Sequence, residues 1–180
     1  AHACFAALCE TRRLCHRASA RRRRCDALVV NVGATTDVLV VGAGLAGLFL
    51  ALRLAPRRCT VLSPTVLGQA AASAWAQGGL AAALDPADSA EQHAADTIAA
   101  GAGLVDPQVA LLIAREGPAA VAALANLGVP FDRTQTERFA LSLEAAHSQA
   151  RVARVAGDLA GRAIMETLVT AVRRAPHIQV

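Results

Sequence analysis

The chain has 180 residues, 54% of them hydrophobic but only 3% aromatic, and a formal net charge of +4. That length suffices for one domain with its own core, and small, alanine-rich apolar residues favour helices that pack closely. The charge is lopsided, +5 over residues 1–35 and −1 over residues 36–180, which argues against nucleic-acid binding, since that needs a basic stripe on a folded surface.

Residues 1–35 lack sustained apolar periodicity and are expected to stand outside the fold, as a disordered leader or an organellar transit peptide. Their arginine-rich, acid-poor composition, with Ser19, suits the second. On that reading the protein belongs in a plastid, and otherwise in the cytoplasm. Cys4, Cys9, Cys15 and Cys25 form no Cys-x-x-Cys pair, so no zinc site is predicted.

Order is predicted from Asp37 onward. Val38–Val41 reads as a parallel strand buried on both faces. A glycine-rich turn, Gly42–Gly47, leads into a predicted helix, Leu45–Ala55, which Pro56 closes. The apolar run Val38–Leu52 is too short to span a bilayer, which takes roughly 20 residues. Cys59–Leu62 is the next strand, with Cys59 as a small core residue, and together these pieces make a right-handed βαβ unit. Ser63–Leu84 reads as irregular. A helix is predicted over 89–100, and Asp106-Pro107 starts another, which Gly117-Pro118 interrupts and Gly128 with Pro130 ends. Phe131–Leu143 reads as a hairpin or an extended excursion. Asp158–Arg174 reads as an amphipathic helix with Ile164, Leu168 and Val172 on one face and Asp158 as a candidate cap, and His177–Val180 begins a strand. The fold class is therefore α/β, a Rossmann-like nucleotide-binding domain over 36–180 with a parallel sheet and a helical insertion.

Gly42-Ala43-Gly44-Leu45-Ala46-Gly47 fits G-x-G-x-x-G between a strand and a helix, where the mechanism requires it. Gly42 allows the tight turn, Gly44 lets a pyrophosphate approach the backbone, and Gly47 lets the helix pack on the sheet. Free amides and the positive helix end then hold phosphates. The position for the ribose-binding acid is Ser63, whose hydroxyl can bond a ribose with less charge assistance. The motif alone leaves FAD and NAD both open.

The stretch Ser73-Ala74-Trp75-Ala76-Gln77-Gly78-Gly79 pairs two glycines after a glutamine. Such a turn leaves backbone amides facing a flat ligand. Here the chain resembles the succinate dehydrogenase and fumarate reductase flavoprotein family, and within it the L-aspartate oxidase branch. Asp88-Ser89, His93, Asp96-Thr97, Ala100–Leu104, Asp106, Gly128–Asp132, Glu144-Ala145-Ala146-His147-Ser148, Gly157-Asp158 and Gly161-Arg162 keep the family's order. The resemblance covers about residues 36–180 and implies FAD as cofactor, with Gly42–Gly47, Ser63 and Ser73–Gly79 around it. The respiratory members attach flavin through a histidine five residues before the glutamine; Ala72 stands there, which implies non-covalent flavin. Glu144 matches the residue that orients the substrate, whose ammonium a carboxylate would pair with. The family often ends its second strand in Ser-Lys and carries glycines after the glutamate; here Ser63-Pro64 and Ala145-Ala146 depart from both.

The implied activity is oxidation of L-aspartate to iminoaspartate, with oxygen reduced to hydrogen peroxide or fumarate reduced instead. That is the first step of NAD biosynthesis, and quinolinate synthase is the implied pathway partner. A capping domain with further arginine and histidine ligands is implied beyond Val180, so residues 1–180 alone are expected to show no turnover. The alternatives are a succinate dehydrogenase or fumarate reductase flavoprotein, and a non-catalytic nucleotide-binding remnant. His93 and Asp96, three apart, are expected to bond locally or pack rather than hold a metal. His147 either lines the flavin site or caps a turn. Trp75 either stacks near the flavin or fills the core.

Overall fold

A computed structural model describes residues 36–69 and 71–180. The predicted leader and its cysteines lie outside the described residues. The first sheet contains β1 (Val38–Val41), β2 (Cys59–Leu62) and β6 (Ile178–Gln179), all parallel, in the order β1-β2-β6. α1 (Leu45–Arg53) and α4 (Ala160–Arg174) pack together against it. Leu48 and Ala51 of α1 meet Ile164, Leu168 and Val172 of α4 over Val40, Cys59 and Val61, all buried. Burying one such large aliphatic side chain contributes about 1.5–3 kcal/mol, so this stripe is the main source of cohesion. The predicted helical face of α4 is thus borne out, and Cys59 is a core residue, 2% exposed, with burial raising its thiol pKa.

The expectation that β1 is buried on both faces is corrected. Its residues alternate, and Leu39 and Val41 are 56% and 79% exposed, because the described helices cover one side of the sheet only. α1 ends two residues earlier than predicted, at Arg53.

The predicted irregular stretch carries a 3-10 turn, Ala72–Trp75, and a strand, β3 (Gly79–Ala81). β3 joins β4 (Leu141–Ser142) and β5 (Val152–Arg154) in a small antiparallel sheet, order β3-β5-β4. β5 escaped the sequence reading because two arginines flank its short apolar centre.

α2 (Ala90–Ala100) begins where Ser89 accepts a bond from the Gln92 amide. α3 (Pro107–Asn126) begins where Asp106 accepts from the Gln108 and Val109 amides, with proline at the first turn. The predicted interruption at Gly117-Pro118 does not occur, and α3 runs through as one helix. Pro118 removes one backbone donor, but packing holds both halves. Ala110 and Ala114 pack with Ala94 of α2, while Val121 and Leu124 enter the main core. α3 is long and apolar enough to cross a membrane by length and composition, yet it carries Arg115 and Glu116 at mid-length. Gly128, at φ +104, turns the chain out of the helix. Of the two alternatives for 131–143, the structure shows a short hairpin, with Arg133 bridged antiparallel to Phe139. Asp158 does not cap α4; the cap position is Leu159, and it makes no side-chain bond.

Candidate functional site

The site is built from two loops and one strand edge. In the Gly42–Gly47 turn, the Gly42 amide donates to the Leu62 carbonyl at 3.0 Å, which fixes the turn to the end of β2. Gly42 has φ +110, a conformation suited to glycine. A Cβ on Gly47 would collide with the Gly42 carbonyl oxygen and come within 3.3 Å of Val40 Cγ1. A Cβ on Gly44 would meet only Ser73 Oγ, at 3.5 Å, an ordinary contact. Gly47 is thus dictated by packing, whereas the space over Gly44 lies on the open side of the turn.

The second loop comes to the first directly. The Leu45 amide donates to Ser73 Oγ at 3.3 Å, so Ser73 satisfies the first orphan amide of α1. The amides of Ala46 and Gly47 precede the first helical bond, from Leu48 to the Gly44 carbonyl at 3.0 Å. They stay free to donate at the positive end of α1. Ser63 sits at the end of β2 beside this turn, its hydroxyl donating to the Thr65 carbonyl at 2.7 Å. The turn thus offers bare amides and a missing side chain, the donor set that a diphosphate needs, and the residues fit the pyrophosphate of a dinucleotide.

Gln77-Gly78-Gly79 follows Ser73 in the second loop. Gly78 has φ +75, and Gly79 pairs with Arg154 in the β3–β5 register. A Cβ on Gly79 would lie 2.8 Å from Val152 Cγ1 and 2.9 Å from the Ala153 carbonyl carbon, so only glycine brings β3 this close to β5. Behind the loop, the Gly161 amide of α4 donates to the Ala76 carbonyl at 3.2 Å. Gln77 and Ala76 remain exposed. Trp75 is 81% exposed, which excludes core filling, one of its two alternatives. It lines a groove of about 510 Å3 with Ala74, Met165 and Val169. That groove touches neither the glycine turn nor Gly78.

Glu144 reaches the same loop. Its Oε1 would lie 4.0 Å from a Cβ on Gly78, and it accepts from Arg154 Nη2 at 2.7 Å. Arg154 Nε is buried with no partner among the described residues, a desolvation cost of about 1–3 kcal/mol.

The loop that carries Glu144 is anchored by a group that sequence reasoning missed. Arg151 is fully buried. Its Nε and Nη2 donate to Asp88 at 2.9 Å each, and its Nη1 donates to Asp96 Oδ2 at 2.6 Å. The Ser148 amide and hydroxyl also donate to Asp96, both at 2.8 Å. These bonds, Ser148 first and then Arg151, pull the Asp96 carboxyl down to about 2. Burial would lower the Arg151 pKa, but Asp88 and Asp96 outweigh it and leave the pKa raised. His147 Nδ1 lies 3.2 Å from Arg151 Nη1, and its ring meets His93 edge-on at 5.6 Å. Burial, and then Arg151, push the His93 pKa down. His147 therefore belongs to this anchor. Asp96 bonds across the fold to Ser148 and Arg151 and makes no pair with His93. No group of three or more metal-ligating side chains occurs among the described residues.

A βαβ unit with a bare-amide glycine turn, hydrogen-bonded to a second glycine loop, defines a dinucleotide-binding domain of the flavoprotein type. The chain belongs to the FAD binding domain family, whose model matches residues 37–180, and FAD is its cofactor. Its relatives include the L-aspartate oxidase of Caulobacter vibrioides, 60% identical over 145 residues, covering 79% of this chain and 28% of that protein. The L-aspartate oxidase of Mesorhizobium japonicum is 48% identical over 142 residues, with the same coverage. Among solved structures, the Mycobacterium smegmatis Sdh1 complex in the apo form is similar, with 34% identity and a TM-score of 0.70 over 76% of this chain and 24% of that one. The E. coli quinol fumarate reductase gives 26% identity and a TM-score of 0.72 over 80% and 25%. The chain thus spans about a quarter of the length of the relatives it matches.

Proposed function

We propose that this chain is the flavin-binding part of an L-aspartate oxidase, which converts L-aspartate to iminoaspartate and reduces oxygen or fumarate. The observation that carries this reading is the placement of a carboxylate, Glu144, at the Gly78 bend of the flavin loop, in a chain 60% identical to an L-aspartate oxidase. The bound flavin supplies the two-electron acceptor. The chain's own residues bind and orient. The amides of Ala46 and Gly47 receive the diphosphate, Gly78 and Gly79 present backbone to the ring, and Glu144 accepts from the substrate ammonium.

The flavin is held without a covalent bond, because Ala72 stands where the respiratory members carry their linking histidine. The product then enters NAD biosynthesis through quinolinate synthase. The likeness to succinate and fumarate enzymes supports a second reading, in which the substrate lacks an amine. The deciding experiment is the full-length, flavin-loaded protein assayed with L-aspartate and with succinate. Peroxide from aspartate, together with full release of flavin on acid precipitation, is expected. Turnover of succinate alone would overturn the proposal.

A further inference from the structure

The carboxylate assigned to the substrate already has a partner. Arg154 Nη2 donates to Glu144 Oε1 at 2.7 Å, with the two side chains 35% and 38% exposed. Arg154 stands on β5 opposite Gly79, so this cation borders the flavin loop from a fixed strand position. Glu144 Oε2 has no hydrogen-bond partner among the described residues. Arg154 leaves its Nε buried and unpaired, so an apolar side chain would serve this strand position better if packing were the only task.

The consequence is electrostatic. A lone Glu144 would meet a doubly carboxylated ligand with a full negative charge, whereas the Glu144–Arg154 pair presents no net charge. We propose that Arg154 is a specificity-determining residue: by neutralising Glu144 it admits a net-anionic dicarboxylate, and it leaves Oε2 to accept from an ammonium group. This rests on the reading of Glu144 as a substrate contact.

The test uses the full-length, flavin-loaded protein and follows flavin absorbance during titration with L-aspartate and with succinate, the same skeleton without the amine. Arg154→Gln is expected to weaken succinate about tenfold, the effect of one partly screened charge. It should weaken aspartate only about two- to threefold, because the ammonium then meets an unshared carboxylate. The double variant Glu144→Gln/Arg154→Gln removes both charges and should return succinate to within about threefold of the parent. Arg154→Lys keeps the charge and should leave both affinities within about threefold of the parent. Flavin content verifies folding, and Arg154→Met replaces the glutamine variant should that one lose flavin.

Equal weakening of both ligands, or none, overturns the role of Arg154. Glu144→Gln decides the underlying reading separately. If it weakens aspartate while Arg154→Gln treats the two ligands alike, Glu144 stands and Arg154 falls. If Glu144→Gln leaves aspartate binding unchanged, both fall.

Discussion

Replacing Arg151 with methionine should release the loop that carries Glu144 while leaving the first sheet intact. Arg151 is 0% exposed and Asp88 is 1% exposed. The variant removes both guanidinium bonds to Asp88, leaving that carboxylate with the Ser89 amide at 2.9 Å as its remaining partner. Asp96 loses Arg151 but keeps both bonds from Ser148. Breaking a buried pair from one side costs about 3–5 kcal/mol, and the surviving bonds place this case near the lower end. About 3 kcal/mol is roughly a hundredfold in the local opening equilibrium. Peptide-resolved hydrogen exchange reads this without assuming that the whole protein unfolds in one step. Amides across 144–151 should exchange about a hundredfold faster, and those of α1 and α4 should not change. Arg162→Gln is the internal control, because its pair with Glu166 is 71% and 65% exposed and is screened by water. If Arg151→Met exchanged at the control's rate across 144–151, the buried triad would be no anchor and the reasoning would fail.

Gly47→Ala should disturb the turn itself, since its new Cβ meets the Gly42 carbonyl. Thermal melting should show a loss of about 1–3 kcal/mol, the usual cost of overpacking. Gly44→Ala meets only ordinary contact in the structure, so it should keep the flavin-free stability and lose flavin, read as the flavin-to-protein ratio. Ala146 sits at φ +69, a left-handed geometry that costs a non-glycine residue about 1–2 kcal/mol. Ala146→Gly should stabilise by about 0.5–1 kcal/mol after the entropy of glycine is counted, seen as a raised melting midpoint.

Acid sensitivity should come in two steps. The folded pKa of His93 lies below its ordinary 6.5, so the unfolded chain binds more protons and stability declines as pH falls through the region just below 6.5. The carboxyl of Asp96 is held at about 2 against 3.8, so its contribution is complete above pH 3.8 and is lost as pH falls towards 2. In melting curves taken against pH, His93→Gln should remove the first decline and leave the second.

Much of the fold could be read from local chemistry. Gly42–Gly47, Ser89 and Asp106 each act within a few residues of themselves, and each marks an element that forms where predicted. Pro118 misled because its local cost is real, while the packing that overrides it comes from α2 and the sheet core. Val41 misled because a run of β-branched residues tells of strand but not of which face is covered. The site shows the same division. Both glycine loops are legible as motifs, and their contact hangs on a 28-residue separation bridged by Ser73 and Leu45. Arg151 and Asp88 stand 63 residues apart, and no spacing rule joins them. The signal that was present is a lone arginine on each side of Val152-Ala153, where an alternating strand would send the two in different directions.

The half-covered sheet has a practical outcome. β1 lies at the margin of its sheet, and Leu39 and Val41 leave one flat apolar side in water. A strand margin next to an oily surface invites a second molecule to zip on. Residues 36–180 produced by themselves should therefore clump as concentration rises. Val41→Lys should restore solubility without touching the free amides of the glycine turn, which begin on the other side of Gly42.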